Sequence, residues 1–156
     1  MSGTKPSIQY RTTDGLASIM ANANKFEKDI KKSSYQVLII DDNINLLYST
    51  QALVESIGYH CIIADGGEAG INVLNSMPID IVLLDLSMPE VDGYSVLKYI
   101  QEKEFNTDVI VVSGESTFDN ATNVFKSGAL DFLGKPYKSS QLISTIDNVA
   151  YKRGLK

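Results

Sequence analysis

The stretch DIVLLDLSMPEVDG, residues 80–93, joins a short apolar run to a carboxylate and then to a turn. Residues 81–84, IVLL, are apolar at every position, as in a strand that is covered on both faces of its sheet. Asp85 follows this run, and a proline, two more acids and Gly93 come within the next eight residues. A buried strand that ends on a charged side chain is typical of an open parallel sheet, in which ligands bind beyond the carboxyl ends of the strands.

Similar apolar runs alternate with helical spacing along most of the chain. The predicted strands are residues 36–40, 59–64, 80–84, 108–113 and 129–134. The predicted helices are residues 44–58, 65–77, 93–103, 116–128 and 139–153. This alternation predicts an α/β fold with a parallel sheet, helices on both faces and right-handed crossovers. Two doubly wound strand orders are compatible with a domain of this size.

The N-terminal segment has a different pattern. Residues 1–14 are polar and aperiodic, which predicts a tail. The next segment carries apolar residues at the 3-4-3-4 spacing of a heptad seam, namely Leu16, Ile19, Ala23, Phe26 and Ile30. Two heptads make a marginal helix, so a helix packed on its own domain and a coiled-coil linker both remain open. We divide the chain into this tail and possible linker helix, residues 1–34, and a globular domain, residues 35–155.

Composition limits the classes of function. Of 156 residues 44% are hydrophobic, which suffices for a core, and the apolar runs are too short to span a bilayer. No basic segment followed by an apolar one opens the sequence, so no secretory signal is expected. The net charge of −5 argues against a nucleic-acid-binding surface. We therefore expect a cytoplasmic chain that neither inserts into a membrane nor binds nucleic acid.

Cys61 is the single cysteine and His60 the single histidine of the chain. They supply too few ligands for a zinc site and no typical Ser-His-Asp or Cys-His arrangement. We expect Cys61 to be a buried thiol, which suits a reducing compartment. We expect His60 to be a strand residue without a chemical role.

Polar side chains stand at the ends of four predicted strands. Asp41 and Asp42 follow the first strand, Asp85 the third, Ser113 ends the fourth and Lys135 follows the fifth. Parallel strands bring these ends to one edge, where two carboxylates ~4 Å apart repel each other by roughly 4 kcal/mol at an effective dielectric of about 20. A divalent cation removes this conflict, and ligation by oxygen alone suits Mg²⁺ or Mn²⁺. A carboxylate beside such a cation and an ammonium is suited to accept a phosphoryl group.

Four segments occur in an informative order: LIIDDN, IVLLDLSMPEVDG, VIVVSGE and GALDFLGKP. Together they resemble the receiver domain of two-component response regulators, over residues 35 to about 153. The resemblance implies a flavodoxin-like (βα)5 fold with strand order 2-1-3-4-5. It also implies phosphoryl transfer from a partner histidine kinase or phosphotransfer protein, within a larger sensor or regulator.

The resemblance implies roles for the acidic residues. Asp85 would be the phosphoacceptor. Asp42 would ligate Mg²⁺ directly with Asp85, and Asp41 would act mainly through water. The backbone carbonyl of Ser87 would complete the protein's share of the metal ligands.

The resemblance also implies a switch. Lys135 matches a lysine that contacts the phosphoryl group, and its bond to Pro136 is expected to be cis. Ser113 matches the switch hydroxyl, and Phe132 stands where an aromatic rotamer toggle is usual, although Phe lacks the hydroxyl of the commoner Tyr. On phosphorylation Ser113 would approach the phosphate, and Phe132 would turn inward. The face of the fourth predicted helix, the fifth strand and the closing helix would then change its affinity for a partner or a second copy. A homodimer is possible through this face or through the N-terminal helix.

Three other interpretations are compatible with parts of the sequence. A haloacid-dehalogenase-like phosphatase also uses an aspartate and Mg²⁺, but it needs a second aspartate where this chain has Ser87. A dinucleotide-binding domain needs a glycine spacing that GGEAG, residues 66–70, lacks. A degenerate receiver that only binds partners would not need the complete set of acids, hydroxyl and lysine. We therefore expect a phosphorylation-dependent switch and not an enzyme.

Overall fold

A computed structural model describes residues 12–114 and 118–154 of the chain, with side chains described for residues 15–114 and 120–154. The strands are β1 (Gln36–Ile40), β2 (His60–Ala64), β3 (Ile81–Asp85), β4 (Asp108–Ser113) and β5 (Asp131–Gly134). The helices are α1 (Thr12–Ser34), α2 (Ile44–Ser56), α3 (Gly67–Ser76), α4 (Gly93–Glu102), α5 (Phe118–Lys126) and α6 (Ser139–Arg153). The predicted tail overlaps α1 by three residues, and its first eleven residues lie outside the described part.

All five strands are parallel, and their order is β2-β1-β3-β4-β5. This confirms the α/β fold and decides between the two doubly wound orders. In the register, Asp85 of β3 lies beside Val112, and Ser113 of β4 lies beside Gly134. The carboxyl ends of all five strands lie at one edge of the sheet. The polar residues at the ends of β1, β3, β4 and β5 therefore meet there.

The strands are continuously apolar because each of them contributes to two cores. In β1, Val37 and Ile39 belong to the core beneath α2 and α6, whereas Leu38 and Ile40 belong to the core beneath α3, α4 and α5. Side chains alternate across a strand, so both faces must be apolar when both are covered. Helices pack on both faces of the sheet, so the backbone at the strand ends that carries the polar residues is held in place.

Helix ends follow local capping chemistry. The side chain of Asn43 accepts a hydrogen bond from the amide of Leu46 at the start of α2, at 3.2 Å. The side chain of Asp92 does the same for α4. The helix predicted over residues 65–77 begins two residues later, at Gly67, and its N-cap is Gly66, which has no side chain to accept a hydrogen bond.

Helix α1 lies outside both cores, since neither of the two clusters contains any of residues 15–34, the part of α1 whose side chains are described. Its last turn is anchored by Lys32, whose Nζ lies 3.4 Å from the carbonyl oxygen of Ile57 and 3.4 Å from Oδ1 of Asp147. The same ammonium lies over the ring of Tyr59. No helix among the described residues is both long and apolar enough to cross a bilayer.

Candidate functional site at the carboxyl edge of the sheet

Three carboxylates converge just beyond β1 and at the end of β3. One oxygen each of Asp41, Asp42 and Asp85 lies within 4.8 Å of the other two. Asp41 and Asp85 are buried, with 5% and 6% of their surface exposed, whereas Asp42 faces solvent. The structure therefore brings together the three acids that the strand ends predicted, with one of them accessible from outside.

Lys135 brings a positive charge to these acids from the end of β5. Its Nζ donates a hydrogen bond to Oδ2 of Asp41 at 3.0 Å and lies 3.7 Å from Oδ1 of Asp85. The Lys135–Pro136 peptide bond is cis, and the Lys135 amide donates to the carbonyl of Ser113 at 2.8 Å. Three carboxylates and one ammonium leave a net charge of −2 when all are ionised. That charge matches a divalent cation.

The surroundings of Asp85 raise the pKa of its carboxyl group above the ordinary value. Burial is the largest cause, and the negative charge of Asp41 adds to it. The charge of Lys135 and a hydrogen bond from the Ser87 amide act in the opposite direction. Additional positive charge at this position would therefore stabilise the ionised form of Asp85.

The pKa of Lys135 is raised as well. Burial by itself would lower this pKa, but the hydrogen bond to Asp41 and the charges of Asp41 and Asp85 outweigh it. Lys135 is therefore held as an ammonium beside the two buried carboxylates.

The loop after β3 folds back beneath Asp85. The Ser87 amide donates to Oδ1 of Asp85 at 3.2 Å, and the Gly93 amide donates to the carbonyl of Leu86 at 3.1 Å. A Cβ atom at Gly93 would lie only 2.3 Å from the carbonyl oxygen of Asp85. The loop can take this path only because residue 93 has no side chain.

Asn43 also belongs to the site, although it was not identified from the sequence. Its amide donates to Oδ1 of Asp41 at 2.9 Å, while its side chain caps α2. Both oxygens of Asp41 are thus engaged, one by Asn43 and the other by Lys135. An Asn just before an apolar helical pattern is an N-cap signal, which could have identified this residue.

Ser113 and Phe132 lie on neighbouring strands and on the same face of the sheet. Phe132 pairs with Val111, two residues before Ser113, so alternation points all three side chains to one side. Ser113 is 1% exposed, and Phe132 is half-buried against the core beneath α3, α4 and α5. Phe132 therefore lies one step back from the edge that carries the acids.

Thr50 and Tyr137 lie beside the site and were likewise not identified from the sequence. The Thr50 hydroxyl lies 3.5 Å from the Tyr137 hydroxyl, and both side chains line a small depression beside Asp41 and Lys135. In the sequence, Thr50 is simply one member of a helical face. Nothing in its spacing indicates a contact with a residue 87 positions later.

Comparison with protein families matches residues 37–147 to the response regulator receiver domain. The cell cycle transcriptional regulator CtrA of Caulobacter vibrioides is 30% identical over 114 residues, which are 73% of this chain and 49% of that protein. The chain spans about half the length of the curated relatives it matches. Helix α1 precedes the residues that match the family.

Solved receiver structures superpose on most of the chain. The receiver domain of the Francisella response regulator 1452 is 28% identical, with a TM-score of 0.74, and the match covers 77% of this chain and 99% of that one. A response regulator receiver domain protein from Clostridium thermocellum is 29% identical, with a TM-score of 0.71, over 78% of this chain and 98% of that one.

Proposed function

Because the chain belongs to the response regulator receiver family, whose members are phosphoacceptors in two-component signalling, we propose that Asp85 is the residue that accepts the phosphoryl group. The observation that carries this proposal is that Asp85 lies 3.7 Å from the Nζ of Lys135 and within 4.8 Å of oxygens of the other two carboxylates. Asp85 ends a strand that is buried at every position, so its carboxylate is held in place at the edge of the sheet.

The transfer itself requires a nucleophile, a donor and a neutralising charge. An oxygen of Asp85 attacks the phosphorus of a phosphohistidine, the P–N bond breaks, and the released imidazole takes up a proton from solvent. Lys135 places an ammonium beside the charge of the transferred group. His60 is the only histidine of this chain. It is the first residue of β2 and therefore lies at the amino ends of the strands, whereas Asp85 lies at their carboxyl ends. The donor is therefore a histidine kinase or a phosphotransfer protein.

The acidic cluster fits Mg²⁺, which takes hard oxygen ligands and commonly keeps several waters. We assign direct ligation to Asp42, Asp85 and the backbone carbonyl of Ser87. Asp41 acts through water, because its two oxygens already accept hydrogen bonds from the Asn43 amide and Lys135. When bound, Mg²⁺ supplies positive charge that offsets the phosphoryl oxygens. Mn²⁺ has the same preference for oxygen and could replace it.

The signal leaves the site through Ser113 and Phe132. We propose that Ser113 moves to hydrogen-bond the phosphoryl group and that Phe132 turns inward on the same face of the sheet. The output surface is then α5, β5 and α6, which exposes Phe125, Leu130 and Tyr151 to between 38% and 56%. Phosphorylation shifts the population of this surface between two states that differ in affinity for a partner or a second copy.

Native mass spectrometry with acetyl phosphate and Mg²⁺ tests the acceptor. The wild-type chain should gain the mass of one phosphoryl group, and Asp85→Asn should not. The matched control is Asp65→Asn, which removes an exposed carboxylate at the end of β2 outside the cluster. An adduct on Asp85→Asn would contradict the assignment. So would an unmodified wild-type chain with both acetyl phosphate and a phosphorylated phosphotransfer protein.

Amide exchange tests the switch. Phosphorylated and unphosphorylated chains should differ in exchange over residues 118–137, which cover α5, β5 and the segment up to Tyr137. A variant with Phe132→Ala should reduce that difference while it still accepts phosphate. Identical exchange in both forms would contradict the switch, although the acceptor assignment would stand.

The wider setting of the chain is part of the same proposal. We propose that it acts in the cytoplasm as a switch without a turnover substrate of its own, within a larger sensor or regulator. The relatives named as transcriptional regulators are about twice the length of the matched region. The phosphatase alternative finds no support, since Ser87 occupies the position where a second aspartate would be needed.

A further inference from the structure

Helix α1 exposes a stripe of large apolar side chains. Five of them are more than half exposed: Leu16, Ile19, Met20, Phe26 and Ile30. In the described part of the chain, Lys32 in the last turn makes the hydrogen bond, the ion pair and the cation–π contact that join α1 to the receiver domain. Most of the stability of a helix in a protein comes from packing of its apolar face, so we expect another surface to cover this stripe.

The stripe has the period of a two-stranded coiled coil. If Leu16 is position a of a heptad, Ile19 and Phe26 fall at d, and Ala23 and Ile30 fall at a. The four lysines of the helix fall at the outer positions b, c and f: Lys25, Lys28, Lys31 and Lys32. The seam therefore carries no lysine, and its apolar side chains can pack against the same side chains of a second copy.

The receiver domain lies away from the seam. Lys32 occupies position c, about 130° around the helix from the centre of the a and d positions. Lys32 packs beside Gly58, where a Cβ atom would lie in ordinary van der Waals contact, 3.4 Å from the Cδ atom of Lys32. A second helix can thus approach the seam without meeting the domain to which α1 is attached.

We propose that a second copy of this chain covers the stripe, with the two α1 helices packed as a two-stranded coiled coil. A membrane surface is a poorer occupant, because four lysines and three acids give α1 a net charge of only +1. The pairing does not need phosphorylation at Asp85. A test that contradicts the proposed function would therefore leave the pairing of the α1 helices unaffected.

The size of the seam predicts a reversible dimer. Each apolar side chain removes roughly 60–120 Å² from water, so the four large seam residues and Met20 beside them bury on the order of 500 Å² per chain. A standard interface buries about 800 Å² per partner. We therefore expect a dissociation constant of ~10⁻⁶–10⁻⁴ M.

Sedimentation velocity on the unphosphorylated full chain tests the pairing over a concentration series that reaches about 200 μM. The wild-type chain should pass from monomer to dimer in this series. Ile19→Gln with Phe26→Gln should weaken the dimer by at least about 100-fold, because two core side chains are lost from each helix. The matched control is Ala21→Gln with Lys28→Gln, two changes at the outer f positions, which should leave the dimer intact.

Three results would overturn the proposal. The first is a wild-type chain that stays monomeric across the series. The second is a dimer that survives the seam double variant or the removal of residues 1–33. The third is a wild-type monomer that binds vesicles of anionic phospholipid through α1, which would assign the stripe to a membrane. Asp85→Asn should dimerise like the wild-type chain, so failure of phosphorylation and failure of dimerisation are read separately.

Discussion

The surroundings of Asp85 favour the neutral form of its carboxyl group, because burial raises the pKa of that group. Only 6% of the residue is exposed, and Asp41 adds a second negative charge nearby. Lys135 offsets this repulsion only in part, because its closer contact is to Asp41, at 3.0 Å, and not to Asp85, at 3.7 Å. The residue that fits the proposed acceptor role is therefore a source of instability in the metal-free chain.

We expect Asp85→Asn to raise the free energy of unfolding by about 1 kcal/mol at pH 7 without metal. The pKa of Asp85 is raised, so the native state binds more protons than the unfolded state between the two pKa values, and the stability due to Asp85 falls as the pH rises through that window. The gain from the substitution should accordingly shrink as the pH is lowered through the native pKa. Urea unfolding in EDTA measures this, with Asp65→Asn as the exposed control.

Added Mg²⁺ should stabilise the wild-type chain more than Asp85→Asn, because a ligand that binds only the native state raises its stability. Equal stabilisation of both proteins by Mg²⁺ would contradict a direct role of Asp85 in ligation.

Gly93 controls the loop that carries Ser87. We expect Gly93→Ala to lower the free energy of unfolding by about 2–4 kcal/mol, since the new Cβ atom would meet backbone atoms of Asp85 and Leu86 at 2.3 and 2.6 Å. Phosphorylation by acetyl phosphate should slow as well, because relief of the clash displaces the loop. Gly66→Ala is the control, since nothing lies within 4 Å of its Cβ position, and an equal loss there would contradict the argument.

At the scale of elements, α6 is tied to the sheet at the edge opposite the acids. Arg153 in its last turn contacts Oδ2 of Asp108 at 2.8 Å, Oδ1 of Asp80 at 3.3 Å and the carbonyl of Asn106 at 2.9 Å. These residues lie at or just before the amino ends of β3 and β4. One guanidinium thus fixes the end of α6 against the two central strands.

We expect Arg153→Ala to cost about 1–3 kcal/mol, because it removes hydrogen bonds to two carboxylates and a carbonyl that are partly screened from water. Lys152→Ala, at an exposed neighbouring position, should change stability by less than about 0.5 kcal/mol. Thermal or urea unfolding of the two variants measures the difference. Similar losses in both would show that α6 is held by its apolar face alone.

At the scale of the whole molecule, α1 and the receiver domain are joined by few contacts. Both hydrophobic cores and the acidic site are built from residues after Ser34. The pair between Lys32 and Asp147 is partly exposed, with side-chain exposures of 19% and 39%, so its contribution to stability is small.

We expect removal of residues 1–33 to leave a cooperatively folded domain whose free energy of unfolding falls by no more than about 1 kcal/mol. Acetyl phosphate should modify it at the rate of the full chain, because no site residue is lost. Circular dichroism with urea unfolding and mass spectrometry measure both properties. A truncated chain without cooperative unfolding would instead make α1 part of the core.

Much of this architecture can be predicted from local patterns in the sequence. Strands 36–40 and 108–113 and the helix over 139–153 were predicted at the bounds that the structure shows. Apolar runs and helical spacing report which faces are buried, and burial is a local requirement on residue type. The convergence of Asp41, Asp42 and Asp85 was also predictable, since parallel strands bring their carboxyl ends to one edge.

The sequence by itself thus determined the α/β class, the alternation of strands and helices, and the set of polar residues at one edge. The strand order was open on the residues alone and came from the resemblance to receiver domains. Only the tertiary structure decided that Lys135 binds Asp41 more closely than Asp85, that Asn43 holds Asp41, and that Arg153 fastens α6. These contacts join residues whose distance depends on register and helix packing, which no local pattern encodes.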